Sequence, residues 1–434
     1  MTGLGPGLLA FGIALLLCAL RVPVAIAMGV VGLIGSIILQ GANTTFYVTG
    51  TTAFDNVKNY GLSVVPLFVF MGVFASRAGL SRALYNFIYS FLGQLRGGLA
   101  IATIGACAGF GAICGSSLAT CATIGRIALP EMMRRNYSPE LAMGSVAAGG
   151  TLGILIPPSI IMVIYGLVTS TSIGALFAAA FIPGFIATVL YMFAVTYSVR
   201  RDPAAGPAGE PMSRNERWQA VREVWQVALL FLITIGGIYV GLFSPTEAAA
   251  IGAGGALLIA ALRGNLTFAS LWDGLVETAV TSGMIFTILI GSALFNVLIE
   301  ATGLPSAVTA AIGAANFSYI TVLTLIIVFY VILGCFMDSL SMIVLTLPVV
   351  FPITVQYGMD PIWFGIIVTT VVEIGLITPP VGLNLFVVQG LLPQYGQKAV
   401  IRGIGPFIVA DLVRVTILAS IPAITLWLPK LLGF

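Results

Sequence analysis

The chain has 434 residues, of which 59% are hydrophobic and only 8% are charged. Soluble domains carry about 25% charged residues, so this composition excludes a soluble protein and indicates one that crosses the membrane several times. The net charge of +3 does not point to nucleic acid, and the lack of histidine removes the usual proton shuttle and the commonest metal ligand. The five cysteines lie in apolar segments without CxxC spacing and are interpreted as small packing residues.

The first half of the chain alternates apolar segments with short polar stretches. The first segment has no basic region before it, so we expect no cleaved signal. Residues 4–20, 22–39 and 61–76 are apolar enough to span a membrane. The Thr- and Asn-rich residues 41–60 are interpreted as a polar loop, and residues 83–95 as an amphipathic helix at the membrane interface.

An apolar run at residues 97–133 is unusual in its length. As one helix it would be roughly 55 Å long, too much for a single crossing of a ~30 Å hydrocarbon core. Arg96 on one side and Arg134 on the other indicate that both ends face the same compartment. We therefore predict a re-entrant helical hairpin that turns at residues 115–117. The alternative is a tight pair of transmembrane helices with a small-residue packing turn.

The next segment, residues 141–168, is long enough to span but is interrupted by Pro157-Pro158. A helix cannot pass through two consecutive prolines unbroken, so we predict two half-helices with an unwound part at residues 149–153. A further span at residues 173–199 ends the first half.

The second half, residues 225–434, follows the plan of the first half, residues 1–199. The sequence predicts three spans, a short helix, a second hairpin, a second broken helix and a last span, in this order: residues 227–243, 246–262, 275–299, 305–315, 319–356, 362–392 and 405–428. Residues 200–224 lie between the halves and carry five arginines and four acids. They are interpreted as a short cytoplasmic connector with an amphipathic helix.

The two halves are related by an offset of 222 residues. Five of the eight prolines before residue 200 fall on a proline at this offset, including Pro157-Pro158 on Pro379-Pro380. Chance would give fewer than about one such match, so the sequence indicates a duplication. Each half holds an odd number of crossings, five spans and one hairpin, so the halves should be inverted repeats with a binding site between them, as in secondary transporters.

The basic residues predict the orientation. Nearly all Lys and Arg residues outside the spans fall on the connector face, and none occurs from residue 264 to residue 397. By the positive-inside rule the connector is cytoplasmic and both termini lie outside.

The hairpin tips and helix breaks are candidate cation sites. Hydroxyls and bare carbonyls at such turns are the ligands that a desolvated hard cation requires. The predicted ligands are Ser116, Ser117, Thr120, Gly150, Gly153, Asp338, Ser339, Ser341, Gly375 and Thr378. Asp338 is the only charge at either tip, and an acid in the bilayer core costs at least ~2.5 kcal/mol, so it requires a cation or another partner. The alternative for the serines is hydrogen bonding between packed helices.

Substrate contacts are assigned to the helix breaks and to one arginine. The candidates are Pro157, Pro158, Pro379, Pro380, Asn384 and Arg126. Arg126 lies about 13 Å beyond the first tip if the intervening residues are helical, and it either binds a carboxylate or extends to the cytoplasmic surface. Asp411 and Arg414 have the spacing of an intrahelical ion pair, and Glu373 and Glu247 are interpreted as structural.

Four stretches carry a family resemblance: Gly-Ser-Ser-Leu-Ala-Thr-Cys-Ala-Thr-Ile-Gly from residue 115, the run at residues 149–159, Met337-Asp338-Ser339, and residues 378–384. They resemble the large membrane subunit of tripartite ATP-independent periplasmic (TRAP) transporters over essentially the whole chain. The resemblance implies a sodium-driven importer of the bacterial inner membrane, without a cofactor, that moves by an elevator mechanism. It implies two partners, a periplasmic binding protein that delivers a small organic acid and a separate four-helix membrane subunit, since no fused four-helix segment precedes Met1. Arg126 departs from the small residue expected there.

Other functions are less favoured. A stand-alone sodium–dicarboxylate symporter would share the inverted hairpin plan without needing partners. An intramembrane enzyme would need a nucleophile with a base, and the chain has neither histidine nor a GxSxG or HExxH motif. An ATP-driven pump would need a Walker motif, and the sequence has none. A channel could share the hairpins, and electrophysiology separates a channel from a carrier.

Overall fold

The computed structural model describes residues 4–434, apart from the side chains of residues 56 and 57. All regular elements in this range are helices, and no β-strand occurs between residues 4 and 434. Eight helical stretches of the described chain are long and apolar enough to cross a membrane. The prediction of an all-α polytopic membrane protein is confirmed.

The first half contains ten α-helices, several of which begin at a serine. The helices are α1 (Leu4–Ala19), α2 (Val24–Gln40), α3 (Ala42–Lys58), α4 (Val64–Arg77), α5 (Leu80–Leu92), α6 (Gly98–Cys114), α7 (Ser117–Arg134), α8 (Pro139–Leu155), α9 (Ile160–Thr169) and α10 (Ile173–Arg201). Ser138 and Ser172 accept hydrogen bonds from backbone N–H groups in the first turns of α8 and α10. These side chains satisfy donors that the helix itself leaves unpaired.

The next helix, α11, begins in the connector and continues into the second half. The helices from here on are α11 (Arg214–Phe231), α12 (Gly237–Tyr239), α13 (Pro245–Leu262), α14 (Phe268–Thr302), α15 (Leu304–Ala314), α16 (Tyr319–Gly334), α17 (Ser339–Gln356), α18 (Pro361–Ile377), α19 (Leu383–Leu391), α20 (Gly396–Ser420) and α21 (Ala423–Leu432). A π-helical turn at Leu232–Gly236 joins α11 to α12, so the connector helix continues directly into a candidate span. Glu247 accepts the backbone N–H of Ser244 at 2.8 Å and caps α13, a structural role.

The helix boundaries repeat at the offset seen in the sequence. Helix α7 corresponds to α17, and α8 to α18, with starts 222 residues apart in both pairs. The peptide bonds Pro157-Pro158 and Pro379-Pro380 are both cis. These helix pairs and cis bonds recur at the predicted offset, whereas the duplication of the whole half and the opposite orientation of the halves stay predictions.

The polar loop predicted at residues 41–60 is wrong, because most of it forms α3. Thr and Asn disfavour helix only weakly, and packing overrides such small preferences. Helix α3 packs against α2 and α14, and Thr45 donates its hydroxyl to the carbonyl of Gly41 at 2.9 Å. The amphipathic helix predicted at residues 83–95 forms as α5, and it packs against α6 and α11.

The helices form two groups. In one group, α2 packs along α14, and α4 along α13. In the other, α8 contacts α6, α7, α10, α18 and α20. Nearly every residue of α8 and α18 is buried, whereas the outer helices α1 and α2 expose large apolar side chains such as Leu9 and Ile38. The hairpins and broken helices thus surround a core built from both halves, inside a surface suited to lipid.

Candidate transport site

The first hairpin turns where the sequence predicts it. Gly115 ends α6 with φ of +65°, a left-handed conformation that favours glycine. Ser116 is extended, and its hydroxyl accepts the backbone N–H of Ala119 at 3.4 Å, which caps the start of α7. The tip therefore consists of two residues between antiparallel helices.

This tip packs against the break in the first broken helix. A Cβ on Gly115 would lie 2.7 Å from the carbonyl oxygen of Pro158, so only glycine allows this approach. The break itself covers residues 156–159, and residues 149–153 are helical within α8. The unwound part predicted at residues 149–153 is therefore wrong. Those glycines allow close packing rather than breaking the helix, since a Cβ on Gly150 would lie 2.6 Å from the Cβ of Cys121.

Three predicted cation ligands converge beneath the first tip. A Cβ on Gly153 would lie 2.6 Å from the Thr120 hydroxyl and 2.7 Å from the Ser116 carbonyl oxygen. Thr120 is fully buried, and its hydroxyl has no oxygen or nitrogen partner in hydrogen-bond geometry within residues 4–434. A buried hydroxyl without a partner costs about 1–3 kcal/mol, so a ligand that supplies one would be stabilising.

The second tip has a related arrangement with a carboxylate. Asp338 caps α17, and its Oδ1 accepts the backbone N–H of Ser341 at 3.0 Å. The Ser341 hydroxyl is buried and also has no hydrogen-bond partner in the described chain. A Cβ on Gly334 would lie 2.8 Å from the Cα of Gly375, which brings α16 against α18 just before the second break.

The second break begins at Thr378. The Thr378 hydroxyl donates to the Ile374 carbonyl at 2.6 Å. Helix α18 continues through Ile377, so Gly375, a predicted cation ligand at this break, is helical. In this half too, the unwound backbone begins after the glycine.

Both tips line one cavity of about 550 Å³. Its polar lining is Ser76, Ser116, Ser117, Thr123, Glu277, Thr281, Asp338 and Ser339, and the remainder is mostly apolar. Sequence reasoning missed Glu277, which forms an ion pair of 2.9 Å with Arg77. The sequence offered no signal for this pairing, because its partners are 200 residues apart. The two tips, one from each half, therefore share a cavity.

The remaining substrate candidates lie elsewhere. None of Pro157, Pro158, Pro379, Pro380 and Asn384 lines the tip cavity. Asn384 is fully buried and donates to the Ser117 hydroxyl at 2.8 Å and to the Ala147 carbonyl at 3.0 Å. Arg126 lines a second cavity of about 670 Å³, on the side of the connector. The structure thus separates Arg126 from the tips and joins Asn384 to the first one.

A buried charged cluster lies behind the tips. The Arg414 guanidinium contacts Glu373 at 2.7 Å and Asp411 at 2.9 Å, with all three side chains almost fully buried. Tyr191 donates to Asp411 at 2.8 Å, and its hydroxyl lies 3.2 Å from that of Thr151. The Asp411–Arg414 pair was predicted, but Glu373 as its partner was missed. The sequence contained one indication that Glu373 lies near the candidate site. At the 222-residue offset Glu373 falls on Thr151, and both residues lie close to predicted cation ligands.

Comparison with known proteins agrees with this architecture. The family model described as "Tripartite ATP-independent periplasmic transporter, DctM component" matches residues 11–424. The C4-dicarboxylate TRAP transporter large permease protein DctM of Pseudomonas aeruginosa is 36% identical over 88% of each chain. Its counterpart in Rhodobacter capsulatus is 32% identical over 98% of this chain and 99% of its own. The isethionate TRAP transporter permease protein DctMQ of Oleidesulfovibrio alaskensis is 35% identical, and the chain spans 65% of its length.

Two solved structures share the fold at low sequence identity. The YdaH transporter of Alcanivorax borkumensis superposes with a TM-score of 0.66 at 14% identity and covers 98% of this chain and 99% of its own. MtrF of Neisseria gonorrhoeae gives 0.60 at 14% identity, over 89% of this chain and 85% of its own. By its sequence, over nearly its whole length, the chain belongs to the DctM family of large permease components of tripartite ATP-independent periplasmic transporters.

Proposed function

We propose that this chain is the large permease subunit of a sodium-coupled importer. In this proposal it receives a small organic acid from a periplasmic binding protein, works with a small membrane subunit, and moves the acid across the bacterial inner membrane by an elevator motion. The connector is cytoplasmic and both termini are periplasmic. Relatives named for C4-dicarboxylates, isethionate, sialic acid and ectoine support an organic acid as the class of substrate.

The observation that carries sodium coupling is the pair of unpartnered hydroxyls, Thr120 and Ser341. Each is buried beneath a hairpin tip, and Thr120 also lies beside Gly153 of the first broken helix. Sodium is a hard cation, and hydroxyl and carbonyl oxygens are its suitable ligands. A sodium ion at each tip would give these oxygens a partner and would hold the tip against the break.

The substrate is proposed to bind in the tip cavity. Ser117 and Ser339 are the first residues of α7 and α17, and both line this cavity. A helix N-terminus carries a partial positive charge and free N–H donors, which favour a carboxylate. Sodium beneath the tips would therefore order the same helix N-termini that hold the acid. Binding of sodium would in this way favour binding of the acid.

Elevator motion is proposed for the group of helices around α8 and α18. This group contains both hairpins and both broken helices, while α2, α4, α13 and α14 form the other group. A stand-alone symporter with this architecture is the second candidate. Membership in a tripartite family disfavours it.

The test is uptake into proteoliposomes that contain this chain, the small membrane subunit and the binding protein. Candidate acids come from a thermal-shift screen of the binding protein. An inward sodium gradient should drive accumulation, and an equal potassium gradient should not. Accumulation that is the same with either gradient would contradict sodium coupling.

A further inference from the structure

We propose that the cavity containing Arg126 is a second anion-binding site, through which the organic acid leaves the tip cavity. We call this cavity the basic vestibule. It is lined by Arg82, Arg126 and Arg263, with Asn86, Asn265, Thr123, Ser76 and Glu223 among the other polar residues. Its ligand class is a small organic anion with a carboxylate or sulfonate group. The direction in which the acid moves rests on the proposed transport function, whereas the binding of an anion by the vestibule does not.

Two of the three arginines are free to bind a ligand. Arg263 is held in place, because it donates to Gln226 at 2.6 Å and to the carbonyls of Glu223 and Ala78 at 2.7 and 3.3 Å. Arg82 and Arg126 are exposed, and neither makes an ion pair or a hydrogen bond within the described chain. Glu223 is the single acid of the lining. The vestibule therefore carries excess positive charge and unused guanidinium donors, which bind carboxylates strongly.

The vestibule continues the tip cavity along one face of α7. Thr123 and Ser76 line both cavities. On α7, Ala119 and Thr123 face the tip cavity, while Thr123 and Arg126 face the vestibule. Positions three to four residues apart lie on the same side of a helix, so these residues form one continuous wall.

The distance along this wall separates the two sites. Arg126 lies nine residues after Ser117, about 13 Å along a helix. A small organic acid does not span that distance, so one molecule cannot contact both places at once. The acid would occupy the tips first and the vestibule afterwards. Glu223 of the connector lines the vestibule, and its carbonyl accepts a hydrogen bond from Arg263, so this route leads to the cytoplasm in the proposed orientation.

The same chemistry would suit a lipid phosphate, since the vestibule is open. Continuity with the tip cavity favours the transported acid, because a lipid headgroup site needs no passage into the protein. The experiment therefore compares small organic anions with an anionic lipid.

The test measures how fast phenylglyoxal modifies each arginine, quantified by peptide mass spectrometry. The chain is placed with its small subunit in nanodiscs of phosphatidylcholine. Succinate, isethionate and sialic acid are the probes, and neutral succinamide is the control compound. At least one anion should slow modification of both Arg82 and Arg126, while succinamide should not. Arg96, exposed and outside the vestibule, should react at the same rate throughout.

A variant shows whether the two arginines bind together. Arg126→Gln should raise the anion concentration that half-protects Arg82 by about tenfold, as expected when a hydrogen bond to a charged group is lost. Arg96→Gln should leave that concentration unchanged.

Two results would overturn the proposal. One is that none of the three anions protects Arg82 or Arg126. The other is that phosphatidylglycerol in the nanodisc protects them while the anions do not, which assigns the vestibule to lipid. The measurement uses no sodium gradient and no binding protein. A failure of sodium-driven uptake with intact protection would therefore remove the proposed function and leave the anion site.

Discussion

Asn384 and Ser117 lie 267 residues apart and are joined by a hydrogen bond of 2.8 Å, in which the amide nitrogen donates to the hydroxyl. The same amide donates to the Ala147 carbonyl at 3.0 Å. One side chain on α19 therefore fastens the start of α7 and the middle of α8. Any displacement of the first tip relative to α19 has to break this connection.

Asn384→Ala should destabilise the protein. The change leaves the Ser117 hydroxyl and the Ala147 carbonyl buried without this partner, at an expected cost of about 1–3 kcal/mol. The measurement is thermal unfolding in detergent, which should show a lower Tm. Asn215→Ala is the matched control, because Asn215 is exposed and makes no side-chain hydrogen bond in the described chain. Equal Tm values for the two variants would mean that the connection contributes no stability.

Thr120→Val should have opposite effects with and without sodium. Valine keeps the shape and removes a buried hydroxyl that has no oxygen or nitrogen partner. Without sodium, the Tm should stay the same or rise. Bound sodium at 100 times its Kd would stabilise the wild type by about 2.7 kcal/mol, and the variant should lose much of that gain.

The control for this change is Thr103→Val on the same hairpin. Thr103 is equally buried, but its hydroxyl donates to the Leu99 carbonyl at 2.8 Å. This variant should keep the full sodium-induced shift in Tm. If Thr120→Val shows the same shift as Thr103→Val, the Thr120 hydroxyl is not a sodium ligand.

Asp338→Asn should abolish transport while the protein still folds. Asn caps a helix about as well as Asp, so the hydrogen bond to the Ser341 N–H can be retained. The change removes the only charge at either tip, and sodium binding at the second tip should weaken. Sodium-dependent uptake in proteoliposomes is the measurement. Asp360→Asn, at the cap of α18, should transport normally. Normal uptake by Asp338→Asn would rule out a role for this charge in coupling.

Arg414→Gln should be the most destabilising of these changes. It leaves Glu373 and Asp411 buried without their cation, which costs about 3–5 kcal/mol. Adding Glu373→Gln and Asp411→Asn removes the uncompensated charges, so the triple variant should unfold at a higher temperature than the single one. Arg402→Gln, exposed on the same helix, is the control. If the triple variant is no more stable than Arg414→Gln, the uncompensated charges of Glu373 and Asp411 are not the cause of the lost stability.

Much of this fold could be predicted because its signals are local. Apolar runs too long for one crossing predicted the hairpins, and Pro157-Pro158 with Pro379-Pro380 predicted the broken helices. The exact extent of the breaks could not be predicted, because a glycine that weakens a helix and one that admits a close neighbour look the same in sequence. Gly153 is of the second kind, since its missing Cβ makes room for Thr120.

The contacts between residues far apart in the chain could not be predicted from the sequence. The pairs Ser117–Asn384 and Glu373–Arg414 depend on how the two halves pack, and no spacing rule relates their partners. The position of α3 had the same cause, since its packing against α2 and α14 outweighs the weak preferences of its Thr and Asn residues.

The last prediction is that the purified chain does not transport alone. An elevator needs a fixed scaffold against which the hairpin-bearing group moves, and here α2, α4, α13 and α14 are the candidates for that role. A second membrane subunit would widen this scaffold. Capture of a dilute acid also requires a binding surface, and residues 41–60, predicted as a polar loop, instead form mostly the packed helix α3.

The measurement compares proteoliposomes that contain the chain alone with those that also contain the small subunit and the loaded binding protein. Only the complete set should accumulate the acid under a sodium gradient. A complete set with Asp338→Asn provides the background rate, because it keeps every protein contact and lacks the tip charge. Sodium-driven uptake of free acid by the chain alone, above that background, would favour the stand-alone symporter. The tips and their cavity would then suffice for transport, and the binding protein would serve only to concentrate the acid.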